Sequence, residues 1–136
     1  MVFASRSCNR EDGELPDGRR FLYQVSGSSP ETSGIHLGSL DGDSPRRLLP
    51  DASNVLYVPN GTQASAGFLL FVREATLMAQ PFDASRLELS GGPIALPAAP
   101  SWAGNSGFYG FSASATGVLA YSAASNVGPQ RLVWVD

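Results

Sequence analysis

Three stretches of this sequence repeat one pattern, and that repetition constrains the fold more than any other feature. PDGRRFLYQV at 16–25, NGTQASAGFLLFVR at 60–73 and ATGVLAYSA at 115–123 each set a Gly-containing turn ahead of a short apolar strand with an aromatic near its centre. The equivalent aromatics are Tyr23, Phe71 and Tyr121, spaced by 48 and 50 residues. A period of this size marks stacked units, each of which needs a neighbour to bury its apolar face. A second strand follows each time: GIHLGSLDG at 34–42, ATLMAQPFD at 75–83 and QRLVWVD at 130–136, reaching Asp41, Asp83 and Asp136. Ile35 and Leu37 alternate with polar or small residues, and the two faces of 75–83 are Leu77, Ala79, Pro81 and Met78, Gln80, Phe82. Alternation with a period of two is the signature of a strand.

Helices fail on spacing. No window keeps apolar residues at i, i+3, i+4 and i+7 for more than about two turns without Pro or Gly, and ASRLEL at 84–89 has room for one helical turn at most. Gly (15) and Pro (10) are abundant for 136 residues, which favours turns. The reading is therefore all-β. Strands are expected near 19–26, 34–41 and 45–49 in a first unit. A second unit has them at 54–59, 67–73, 76–83 and somewhere in 87–96, and a third at 110–114, 117–123 and 130–136. The units span about 15–50, 53–97 and 108–136, after a polar N-terminal extension at 1–14 that matches none of them.

Charge removes several classes of function. The net charge is −3 and every one of the nine basic residues is Arg, so no basic stripe marks a nucleic-acid surface. Without Lys the chain offers neither a Schiff-base amine nor a phosphate-loop lysine. One cysteine, Cys8, and one histidine, His36, leave no intramolecular disulfide, no cysteine metal site and no two-histidine metal site. No cofactor is expected. Residues 89–130 carry no charge, but they are rich in Ser, Gly, Pro and Asn and contain no apolar run long enough for a membrane span. No secretory signal is visible, because Arg6, Arg10, Glu11 and Asp12 follow directly on a very short apolar start.

The order of strand, PDG-type turn, strand, LDG and an RRL strand resembles the WD-like β-propeller repeat of TolB-type proteins. The residues that carry the likeness are Pro16 to Arg20, Gly34 to Gly42, and Arg46, Arg47 and Leu48. LLFVREATLMAQPFD at 69–83 is similar to a propeller segment in the extracytoplasmic part of bacterial transmembrane serine/threonine protein kinases. FSASATGVLAYSA at 111–123 and RLVWVD at 131–136 fit the same series. The resemblance covers about 15–136 and implies antiparallel four-stranded blades, two to three of them, in an incomplete propeller.

The sequence departs from the repeat in four places. Ala75 stands where the repeat usually has Gly, so a positive φ there would strain it. TQASA is inserted after PNG at 59–61. Ala115–Thr116 replaces a Pro–Asp turn, and the first unit lacks its innermost strand. No HRD or DFG motif and no VAIK-type lysine is present, so kinase activity does not carry over. Propellers close with about four to eight blades, so the expectation is a fragment of a larger protein with open sheet edges.

Candidate sites follow from the residues. Asp17, Asp41, Asp83 and Asp136 stand one per strand end, as turn caps do, rather than as a metal cluster. His36 lies mid-strand with no GxSxG elbow in the chain, and Cys8 has no second imidazole to activate it. Arg19–Arg20 and Arg46–Arg47 are tandem pairs that put one Arg on each face of a blade. They suit an anionic peptide or sugar acid, or pairing with Asp41, Asp43 or Glu14. Trp102, Phe108, Tyr109 and Phe111 cluster in a Gly/Ser-rich connection and are contact candidates or a plug between blades. The contact residues singled out are Trp102, Phe108, Tyr109, Arg46 and Arg47. Trp134 is expected in the blade packing.

The expected function is a non-catalytic scaffold that binds a protein or small-molecule ligand. The resemblance implies a periplasmic or extracytoplasmic sensor, with the remaining blades or another chain at the open edges. The alternative is the propeller portion of a larger enzyme, a kinase or a propeller-type peptidase, with its catalytic domain elsewhere.

Overall fold

Asp17–Gly18 starts the first sheet for a local reason. The Asp17 carboxylate accepts the amides of Arg19 and Arg20, while Gly18 takes a φ of 67°. The chain is thereby turned into β1 (Arg20–Val25). The computed structural model describes residues 14–26, 29–61, 63–103, 108–114, 116–123 and 132–135, with the backbone alone at 63–65, 103 and 132–135. β1 pairs antiparallel with β2 (Gly34–Ser39), and β2 with β3 (Arg46–Leu49), in a meander. A register shift at Ile35/His36 makes Leu48 the extra residue of a bulge, so that Ile35 faces Leu49 and His36 faces Arg47.

The second sheet is the largest. β4 (Leu56–Asn60), β5 (Gln63–Arg73) and β6 (Thr76–Asp83) run antiparallel in order. The outer strand is broken in two: β7 (Glu88–Leu89) pairs with one end of β6 and β8 (Ile94–Ala95) with the other. β9 (Trp102–Ala103) and β10 (Phe108–Tyr109) make a small hairpin ladder. The third sheet is the meander β11 (Phe111–Ala113), β12 (Leu119–Ser122) and β13 (Leu132–Val135). The protein is all-β and every strand pairing is antiparallel; no helix occurs among the described residues.

Alternation along β5 decides how the sheets lie. Leu69 and Phe71, both fully buried, join Leu22, Ile35, Leu37 and Leu49 of the first sheet, with Leu15, Val55 and Phe82, in one core. Leu70 and Val72 join Leu56, Leu77, Ala79 and Ala98 in a second core, against which Phe111, Ala113, Leu119 and Tyr121 of the third sheet pack. Successive residues of a strand point to opposite faces, so the second sheet is covered on both sides. Each fully buried Leu or Phe stabilises this stack by about 1.5–3 kcal/mol.

Polar groups complete the seams. Buried Ser53 accepts the Val72 amide through Oγ and donates to the Asn54 carbonyl. The Asn54 side chain then donates to the Tyr109 carbonyl at 3.1 Å and accepts the Tyr109 amide at 2.9 Å, binding β10 to the entry of β4. Arg73 forms a two-pronged pair with Asp51 at 2.8 Å on both oxygens, and its guanidinium lies 5.4 Å from the Phe71 ring centre.

Several expectations need adjustment. The segment TQASA is not a loop ahead of a strand, because β5 already starts at Gln63. ASRLEL makes no helical turn: residues 84–87 are a hairpin loop between Asp83 and Glu88, closed by Leu87 at a φ of 59°. Leu15, next to the polar N-terminal extension, is 2% exposed and belongs to the first core. Residues 1–13, Cys8 among them, lie outside the described residues, as does Asp136; the side chain of Trp134 does too.

Candidate functional site

A concavity with charged walls lies where the first sheet meets the β6–β7 loop. Its floor follows from register. Arg20 stands opposite Ser39, Leu22 opposite Leu37, and Leu37 opposite Arg46. All of these lie on the face of the first sheet that carries Leu22 and Leu37 into the core, so Arg20 and Arg46 stand at the margin of that core. The cleft has a volume of about 170 Å³ and is lined by Arg20, Leu37, Ser39, Asp43, Ser44, Arg46 and Leu87, with the backbone of Gly38.

Each cation is held from behind. Arg20 donates to Asp17 at 3.0 Å. Arg46 donates to the carbonyl of Leu87, reaching across from the first sheet to the second. The αL backbone of Leu87 is costly for a bulky residue, and the side chain repays it by packing on the first core. Two oriented guanidiniums beside the hydroxyls of Ser39 and Ser44 suit a carboxylate or another anion. Asp43 on the same wall limits the net positive charge.

The tandem arginines divide between the two faces as strand geometry demands. Arg47, opposite His36, turns to the other face and donates to the carbonyls of Ser33 at 3.0 Å and Pro30 at 2.9 Å, which ties down the 29–33 loop. It lines no part of the cleft. Arg46 and Arg47 thus use carbonyls where acidic partners were expected, whereas Arg19 does reach Asp41, at 3.4 Å on an exposed edge.

The aromatic candidates stand elsewhere, on the side of the second sheet that faces the third. Trp102 is 49% exposed and lies opposite Tyr109, with ring centres 4.9 Å apart. Tyr109 packs on the second core, and Phe108 is half-buried opposite Ala103. The cluster is therefore split between a core member, Tyr109, and a surface member, Trp102. It does not converge with Arg46.

Among the described turn acids, Asp17 and Asp83 accept backbone amides, whereas the Asp41 carboxylate meets the Arg19 guanidinium. For Asp17, burial alone would raise the pKa, but the amides of Arg19 and Arg20 and the Arg20 side chain hold the carboxyl below its ordinary value. Asp83 is also lowered, chiefly by the Ser85 hydroxyl at 2.6 Å and then by the amides of Arg86 and Ser85. Burial, with the Asp83 charge adding to it, raises Tyr57. His36 stacks on Tyr23 at 5.5 Å, and its Nε2 lies 2.9 Å from the Thr32 carbonyl. Among the described residues no three His, Cys, Asp or Glu side chains gather as a metal site would require, and no helix is long and apolar enough to cross a membrane.

Sequence reasoning missed the pairing of Arg20 with Arg46 and the part played by Leu87. The first was open to inspection, since both residues fall on the Leu22–Leu37 face once β2 is placed between β1 and β3. The second depends on how two sheets stack and leaves no local signal. No family model, no curated protein and no solved structure matches this chain.

Proposed function

We propose that the three sheets are blades of a TolB-like, WD-type β-propeller that serves as a non-catalytic interaction scaffold in an extracytoplasmic sensor or periplasmic protein. One observation carries the reading: the second sheet is buried on both faces, by a meander before it and a meander after it in sequence. Sheets stacked in chain order, each an antiparallel meander, are how blades follow one another. The broken outer strand β7/β8 completes a four-stranded second blade.

The cleft between the first and second blades gives the scaffold a contact point for an anionic segment. Its donors, two guanidiniums and two hydroxyls, recognise charge and need no chemical step. The test is fluorescence polarisation with a labelled Asp/Glu-rich peptide and its Lys-rich counterpart. The acidic peptide should bind, with affinity falling as salt rises, and Arg46→Ala should weaken it about tenfold. Equal binding of both peptides, or none, contradicts the reading.

A further inference from the structure

The charges that line the cleft do not balance one another. Arg20 has a carboxylate partner in Asp17, at 3.0 Å. Arg46 has only the neutral carbonyl of Leu87, and among the described residues no carboxylate lies within ion-pair distance of its guanidinium. Asp43, in the connection between β2 and β3, is the opposite case. Among the described residues its carboxylate accepts no hydrogen bond and meets no cation. Ser44 beside it has an uncommitted hydroxyl. One unbalanced cation and one unbalanced anion therefore share a single cleft.

Size decides what kind of occupant enters. At about 170 Å³ the cleft is smaller than the roughly 300–1,000 Å³ of pockets that hold free small molecules. It suits one side chain of a longer segment that passes over its mouth. Leu37 is buried and Leu87 half-buried, so the stem of that side chain meets apolar surface. A guanidinium has five N–H donors, and the carbonyl of Leu87 leaves most of those on Arg46 for a carboxylate. Asp43 and Ser44 are exposed, on the open side where the rest of the segment passes.

We infer that the cleft recognises a mixed-charge protein segment: an acidic side chain seated on Arg46, and a basic side chain two residues further along that pairs with Asp43. The inference rests on the reading of the cleft as an anion contact and deepens it by naming the second half of the signal. A spacing of two puts both side chains on one face of an extended chain. A wholly acidic segment brings a like charge against Asp43, which opposes binding. Asp43 is thus a specificity filter, separate from the general repulsion that a net charge of −3 exerts on any acidic partner.

Fluorescence polarisation with two labelled peptides of equal length tests this. One carries a glutamate and a lysine separated by a serine, and the other carries glutamate at both places. The wild type should bind the mixed peptide about threefold more tightly, the scale of an exposed ion pair. Asp43→Asn should remove that preference, with an unchanged β signal in circular dichroism, since the carboxylate bonds to nothing described in the fold. Glu31→Gln removes a negative charge from an exposed loop outside the cleft and should leave the preference intact. Equal binding of the two peptides to the wild type overturns the inference, as does a preference that survives Asp43→Asn or disappears with Glu31→Gln. Arg46→Ala in the same assay separates the two readings. Binding without preference that Arg46→Ala weakens rejects only the mixed-charge signal, whereas binding of neither peptide to the wild type rejects the anion contact as well.

Discussion

Leu70 and Phe71 are neighbours in β5 and are buried in different cores, Phe71 with the first sheet and Leu70 with the third. This division separates their mutational effects. Phe71→Ala should cost about 3–5 kcal/mol and Leu70→Ala about 2–5 kcal/mol in urea unfolding. Amide exchange should then locate the damage. Phe71→Ala should speed exchange mainly in β2, and Leu70→Ala mainly in β12. The same pattern from both substitutions would mean that the two faces are not separately covered.

Ala75 is a flaw in a tight turn. Arg73 faces Thr76 across a two-residue hairpin loop, in which Glu74 has a φ of 50° and Ala75 a φ of 61°. Two-residue hairpins of this hand want Gly or Asn, because a Cβ in the left-handed region costs an L-residue about 1–2 kcal/mol. Ala75→Gly should therefore raise stability by about 1 kcal/mol in chemical denaturation, with no loss of β signal in circular dichroism.

Two buried glycines should respond unequally to a methyl group. A Cβ at Gly67 would stand 2.4 Å from the Val58 carbonyl, a backbone atom fixed by the β4–β5 ladder. The Cβ at Gly38 would meet the Phe21 ring, a half-buried side chain that can swing outwards. Thermal melts should show Gly67→Ala as the more damaging of the two. Gly38→Ala should instead change the near-ultraviolet signal of the Phe21–Tyr23 pair.

Acid should loosen the turns. Asp17 and Asp83 both have pKa values below the ordinary carboxylate value in the folded chain. A carboxylate lowered on folding contributes stability that is complete above its unfolded pKa, about 3.9, and lost as the pH falls through the folded value. The urea midpoint should hold steady above about pH 5 and decline below about pH 4. Asp17→Asn should flatten that decline, since its carboxyl no longer titrates.

Much of this architecture is legible in the sequence because period-two alternation and Gly or Asp at the turns are local signals. Ile35 and Leu37, the Asp83 cap and the pairing of 67–73 with 76–83 all follow from residues close in sequence. Tyr23, Phe71 and Tyr121, spaced by 48 and 50 residues, stand in strands of three different sheets. Contacts between distant segments were beyond it. Nothing in the composition of the 52–56 segment shows that Asn54 bonds both backbone groups of Tyr109, 55 residues away. The strand that begins at Gln63 hides behind Gly61 and a run of small polar residues that reads as a loop.

The candidate cleft shows the same split. One-per-face placement of Arg46 and Arg47 is strand geometry, and it holds. Which of the two faces a cleft depends on where the β6–β7 loop lies, and the carbonyl of Leu87 selects Arg46. The aromatic cluster of 102–111 divided because burial is set by the second core: Tyr109 and Phe111 reach it, while Trp102 remains on the surface.

The central claim is that the second sheet lies between the other two. Nuclear Overhauser contacts in a sample with labelled methyl and aromatic groups test it most directly. The account predicts contacts from the Phe71 ring to methyls among Leu22, Ile35, Leu37 and Leu49, and from the Leu70 methyls to side chains among Phe111, Leu119 and Tyr121. Contacts from both residues to one and the same sheet, or to neither, would contradict it.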